Sequence, residues 1–188
     1  SHNVQLSGKK LEFFKKLIPD AQKMLVLYNS ETTPYGGNYS FLCEAAKKLN
    51  IELEIVDINT REELYDSLEN QACTTDGLML MCSLLFEEET ENIANIGQEM
   101  QIPIMGINQG QVEKGILAFY GGTGYDEGVQ SARMVANILR GQNPRKIPIE
   151  SPEVLEFYLN IETSKLLGID IEKGGFPFVD NFVYTKGW

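Results

Sequence analysis

Apolar residues in this chain fall into short unbroken runs separated by stretches with helical spacing. Met24, Leu25, Val26, Leu27 and Tyr28 form the first run, which predicts a strand buried on both faces. Residues 51–58, IELEIVDI, alternate before turning apolar, as suits a strand nearer a sheet edge. GLMLMC at 77–82, IPIMGI at 102–107 and the run at 116–120 bring the set to five. Helical spacing fills the gaps. Over residues 8–18, Leu11, Phe14, Leu17 and Ile18 share a face, with Ser7 as cap and Pro19 as terminator. Over 37–49, Phe41, Leu42, Ala45, Ala46 and Leu49 point inward, and Asn50 offers a left-handed stop. Thr60 with Glu63 forms a capping box before Leu64 and Leu68. Glu87, Glu88 and Glu89 open a helix to about Met100, where carboxylates complement the helix dipole or, alternatively, form a cation site. The bend at Gly121, Gly122, Thr123 and Gly124 leads into a helix over 125–140. Its Val129, Ala132, Val135, Ala136 and Leu139 point inward, and Gly141 ends it.

Strands alternating with helices predict an α/β fold: a doubly wound five-stranded parallel sheet, order 2-1-3-4-5, in three α/β/α layers. After Gly141 the texture changes. Residues 142–152 hold three prolines and read as an extended linker. LEFYLN at 155–160 reads as one more strand, 161–167 as a short helix, and the aromatic tail at 176–188 has no clear period. The expected division is a lobe at 1–146, a linker, strand and short helix at 147–171, and a tail at 172–188.

The 188 residues carry a formal net charge of −11, which disfavours nucleic acid and anionic membranes as partners. No apolar run approaches the ~18 residues of a membrane span. Ser1, His2 and Asn3 lack the basic start of a secretion signal, leaving a mature protein, a cytoplasmic one or a cut piece as the alternatives. Cys43, Cys73 and Cys82 have no CxxC spacing, against a disulfide framework or zinc knuckle. The single histidine, His2, excludes a His-dependent triad or a multi-His metal site. No cofactor and no metal are expected.

In open parallel sheets, ligands sit beyond the carboxyl ends of the strands. The candidates there are Asn29, Ser30, Thr32 and Tyr35 after the first strand, and Cys82 and Ser83 after the third. Asn108 and Gln109 follow the fourth, and Gly122, Thr123 and Tyr125 the fifth. The plainer alternative is that these groups only cap helices and satisfy turns. Ser30, Glu31, Thr32 and Thr33 resemble the phosphate cradle of a flavodoxin-like redox protein, although Glu31 would repel a phosphate. A phospho-receiver would need an aspartate at a strand end, where Asn29 and Ser83 stand. No nucleophile–base pair points to an enzyme.

LSGKKLEFFKKLIPDAQKMLVLYN, EAAKKLNIELEIVDI, the YDEG helix start, ILRGQNP and IPIE resemble, in that order, the second lobe of a family of ABC transporter substrate-binding proteins. These have the type I periplasmic-binding fold, and some members bind aromatic amino acids. The resemblance extends to about Ile169, and the tail from Glu172 departs from it. It implies a missing N-terminal lobe, closure of two lobes over a small solute, and docking on a membrane permease. It also implies an extracytoplasmic place, periplasmic or as a lipoprotein. LEFYLN would return to the hinge, its bared apolar face folding back or forming a homodimer contact together with the tail. Amino-acid-binding members tend to carry an acidic residue where Ser83 stands and another near Asn108; the first loop here reads Pro34-Tyr35 in place of their Asn-Ser pair. The neutral groups weaken the amino-acid assignment and leave hydrogen bonding plus stacking from Tyr35, Phe86 or Tyr125, so a neutral or aromatic solute is expected, with the family's amino-acid-like solute as the other option. The alternative within the same fold is a ligand-sensing domain of a signalling protein.

Overall fold

A computed structural model describes residues 2–32, 39–171 and 175–186. Its sheet is built outward from β1 (Lys23–Tyr28). Met24 and Val26 enter one core with Leu11, Phe14, Leu42 and Ala46. Leu25 and Leu27 enter the opposite core with Leu64, Leu68, Phe86 and Ile93. β2 (Glu52–Asp57) and β3 (Gly77–Leu80) flank β1 in parallel. β4 (Ile104–Met105) and β5 (Ala118–Gly121) continue the parallel order, giving 2-1-3-4-5 as expected.

Two further strands extend the sheet. β6 (Glu156–Asn160) runs antiparallel to β5, and β7 (Asn181–Val183) lies parallel to β6. LEFYLN therefore folds back into this sheet, the first of the two expected outcomes for its apolar face: Phe157, Tyr158 and Leu159 are buried. The tail supplies part of the cover. The Phe178 ring stacks on Phe13 at 5.1 Å and meets Phe157 edge-on at 5.3 Å. Buried Asn160 ties the region together, donating to the Val112 carbonyl at 2.7 Å and accepting from the Thr163 N–H that opens α8 (Ile161–Leu166).

Helices α1 (His2–Leu17) and α2 (Ser40–Leu49) cover one face. Their close approach needs Gly8, where a Cβ would lie 2.8 Å from the Phe41 carbonyl oxygen. α1 begins before Ser7, so Ser7 is a buried residue inside it rather than its cap. The expected start of the second helix at Gly37 lies outside the described residues. Asn50 adopts the left-handed stop, φ 54°. Phe41, expected inward, is 45% exposed. On the other face lie α3 (Arg61–Asn70), with its Thr60–Glu63 capping box, α4 (Leu84–Glu88) and α5 (Thr90–Glu99).

One continuous helix was expected where α4 and α5 stand. Glu89 separates them, its carboxylate buried and bound by Tyr65 Oη, Asn92 and Arg61 Nε, the last at 2.7 Å. This carboxylate joins α3 to α5 instead of merely facing a helix dipole.

α6 (Gln109–Glu113) precedes β5, and α7 (Gly124–Leu139) follows it. α7 overturns one expectation: no residue of it is buried. Val129, Val135 and Leu139, expected inward, are 57%, 53% and 83% exposed. The apolar stripe is real, but the surface it would cover is not among the described residues.

Hydrogen bonds from Tyr65 and then Asn92 hold the Glu89 carboxyl below the usual carboxylate range; burial opposes them and Arg61 adds to them. A depressed folded-state pKa contributes stability above the unfolded value and loses it as pH falls through the folded one. Urea unfolding from about pH 5 to about pH 3 should therefore show Glu89→Gln losing less stability than the parent protein. Parallel pH curves for the two proteins would contradict this linkage.

Candidate functional site

All five parallel strands end at one edge of the sheet, and the loops that leave it carry the polar residues singled out above. Asn29 is buried there, its amide donating to the Ile58 carbonyl at 2.9 Å. Its side-chain oxygen accepts from the N–H and the hydroxyl of Thr32, both at 2.8 Å. The Thr32 hydroxyl also lies 3.2 Å from the Ser83 hydroxyl. Asn29, Thr32 and Ser83 are thus brought into one hydrogen-bonded row spanning the ends of β1 and β3.

Ser30 points toward β2. Its N–H donates to Asp57 at 2.9 Å, and its hydroxyl lies 3.4 Å from Asn59. Burial works to raise the Asp57 pKa, but the hydrogen bonds from Ser30 and Asn59 outweigh it and keep the carboxyl below its ordinary value. Asp57 is an anionic group at this edge that the sequence reading did not single out. As the last residue of an edge strand it was marked only by position.

Asn108 caps α6 by accepting from the Gln111 N–H at 3.0 Å. Gln109 donates to Glu113 at 3.0 Å. Thr123 caps α7 by accepting from the Asp126 N–H and donating to its carboxylate. Each of these residues performs the capping or turn role of the plainer alternative, and the structure does not link them to the Asn29–Ser83 row. Gly122 is packed close, since a Cβ there would come within 2.7 Å of Glu127. Tyr125 stands free, 81% exposed. Tyr35 lies outside the described residues. Phe86 is fully buried in the core between sheet and helices, so it cannot stack on a solute, and that expectation is corrected. Leu84, the residue after Ser83, is 68% exposed and supplies apolar surface beside the row. It was missed because a leucine next to a strand reads as core.

Gln111 governs the β4–α6 loop. Its side chain is buried, accepts from the Ile107 N–H at 2.8 Å and donates to Phe86 O at 2.9 Å and Thr90 Oγ1 at 3.0 Å. It thereby fixes the loop that presents Asn108 and Gln109. A separate open groove of about 570 Å³ lies between α7 and the proline-rich linker, lined by Met134, Val135, Ile138, Ile147 and Ile149 among others. Two of its lining residues, Glu127 and Pro152, pack beside Gly122, so it adjoins the end of β5 but includes no residue of the Asn29–Ser83 row.

Over residues 2–174 the chain matches the family described as ABC transporter substrate binding protein, and it belongs to that family. It is similar to the tyrosine-binding protein of Clostridioides difficile (strain R20291), 28% identical over 178 residues covering 95% of this chain and 50% of that protein. A solved conserved domain protein from Vibrio cholerae superposes with TM-score 0.80 at 22% identity, covering 94% of this chain and 60% of that one. The ABC domain in complex with L-Trp from Streptococcus pneumonia gives TM-score 0.80 at 19% identity, covering 94% and 62%. The chain spans about half the length of the curated relative it matches. At these identities the solved structures speak to the fold, which is the type I periplasmic-binding fold.

Replacing Gln111 by leucine keeps the size and leaves the Ile107 N–H without its buried partner, while the Phe86 carbonyl keeps the Thr90 hydroxyl. Chemical denaturation should register a loss of about 1–3 kcal/mol. A change below about 0.5 kcal/mol, within the range of ordinary surface substitutions, would show that Gln111 does not hold the loop.

Proposed function

We propose that this chain is one lobe of the extracytoplasmic solute-binding component of an ABC import system. A second, N-terminal lobe closes with it over a small aromatic, amino-acid-like solute. The family match over residues 2–174 carries the reading. The strand-end row of Asn29, Thr32 and Ser83 supports it, because uncharged donors and acceptors beside exposed Leu84 and Tyr125 suit a solute with an apolar body. The tyrosine-binding relative and the L-Trp complex point to the same solute class. The proposed site also takes in Ser30, Asn108, Gln109, Thr123 and Tyr125 from the other strand ends and, by its place in the sequence alone, Tyr35.

Exposed apolar surface on α7 supports the presence of such a second lobe. α7 carries a bare apolar stripe, and burying a side chain such as Val129, Val135 or Leu139 against a partner is worth roughly 1.5–3 kcal/mol each. Both edges of β6 are already paired, so a homodimer contact from that side falls to β7 and the tail, where Phe182 and Tyr184 are exposed. Closure follows from differential contacts: the solute binds the closed arrangement better and shifts the population toward it, and the closed form docks on the permease. Nothing in this cycle requires bond chemistry.

Calorimetry should show the two-lobed protein binding L-tyrosine, L-tryptophan or a neutral aromatic analogue. The 188-residue chain alone should bind at least ~100-fold more weakly, since half the contacts are absent. Equal affinity of the lone chain, or no aromatic ligand for the two-lobed protein, would overturn the reading.

A further inference from the structure

The lysines of α1 divide by where their ammonium groups go. Lys9 pairs with Glu12 at 2.7 Å, and Lys15 donates to the Ala21 carbonyl at 2.6 Å. Lys16 lies over the Phe13 and Phe178 rings. Lys10 turns the other way. α1 runs down to the start of β1, so its earlier turns lie toward the strands' carboxyl ends. From there the Lys10 ammonium reaches 5.3 Å from the centroid of the Phe119 ring on β5, and it feels Cys82, which directly precedes Ser83 of the polar row. It therefore lies on the α1 side of the sheet between β5 and the loop that leaves β3.

Two features mark Lys10 as more than a packing residue. Desolvation of its ammonium lowers its pKa to about 8, and Cys82, itself a thiol pushed up by burial, opposes this only in part. Among the described residues no carboxylate contributes to its stabilisation. A desolvated cation held by an aromatic face and a thiol is short of an anionic partner, and a solute carboxylate supplies one. The setting sharpens the point, because in a chain of net charge −11 an acidic solute needs a local cation to be admitted.

We infer that Lys10 is the anion-reading group of this lobe's site, so that the solute presents a carboxylate to it while its apolar body lies along Leu84 and Tyr125. The inference rests on the solute-binding reading above and narrows it. It also accounts for the neutral side chains at Ser83 and Asn108: this lobe reads the acid end of the solute, not the amine.

The test compares 3-phenylpropanoate with 3-phenylpropanol, which share a body and differ in the carboxylate, on the two-lobed protein by calorimetry. The acid should bind about tenfold or more tightly than the alcohol. Lys10→Met should bring the acid down to the level of the alcohol and leave the alcohol unchanged, and Lys10→Arg should keep most of the preference. Lys10→Met should also fold, with a melting temperature no lower than the parent's, since it removes a desolvated charge. An unchanged acid-to-alcohol ratio in Lys10→Met, or an equal loss for both probes, assigns Lys10 a structural role and overturns the inference while the solute-binding reading stands. Failure of the two-lobed protein to bind either probe or any aromatic amino acid overturns both.

Discussion

Burial of β1 on both faces is the constraint on which the rest depends. Met24 and Val26 can leave water only against α1 and α2, and Leu25 and Leu27 only against α3, α4 and α5. A strand loaded on two sides demands helices on two sides, and right-handed crossovers then deliver every parallel strand with its carboxyl end at the same edge. Four fully buried aliphatic side chains at roughly 1.5–3 kcal/mol each outweigh any single polar contact at that edge. The core therefore positions the loops, and the loops are left to carry chemistry.

The edge is a mixture of two kinds of polar group. Asn108 and Thr123 satisfy helix starts and would be required by any protein with these turns. Asn29, Thr32 and Ser83 differ because they bond to one another across two strands, leaving a connected polar strip beside exposed Leu84. Asp57, held by Ser30, carries negative charge at that edge, and Lys10 is the cation that we assign to the solute, with no carboxylate among the described residues contributing to it. Such an arrangement is suited to holding a solute.

Much of the fold was legible in local patterns whose cause is local. The Thr60–Glu63 capping box, the left-handed Asn50 and the apolar runs of β1 and β3 depend on a few neighbouring residues, and they stand as read. What was not legible depends on distant partners. The stripe on α7 declares that a face wants covering but not by what, and within the described residues nothing covers it. LEFYLN looked unpartnered because its partners, β5 on one side and the tail on the other, are set by tertiary pairing. Glu89 read as a helix-dipole partner or cation ligand and Lys10 drew no reading of its own, because the packing of Tyr65 and Asn92 on the one and of Phe119 on the other comes from distant parts of the chain. The strand-end residues were found by position, but which of them join each other required the coordinates.

Hydrogen exchange on the two-lobed protein, with and without an aromatic amino acid, tests most directly that this sheet edge is half of a solute trap. Slowed exchange on adding the solute should appear in residues 29–32, 82–84 and 107–110, while α7 should be equally protected in both states because the other lobe already covers it. Solute-induced protection confined to the groove between α7 and the linker, with the strand-end loops unchanged, would contradict the account.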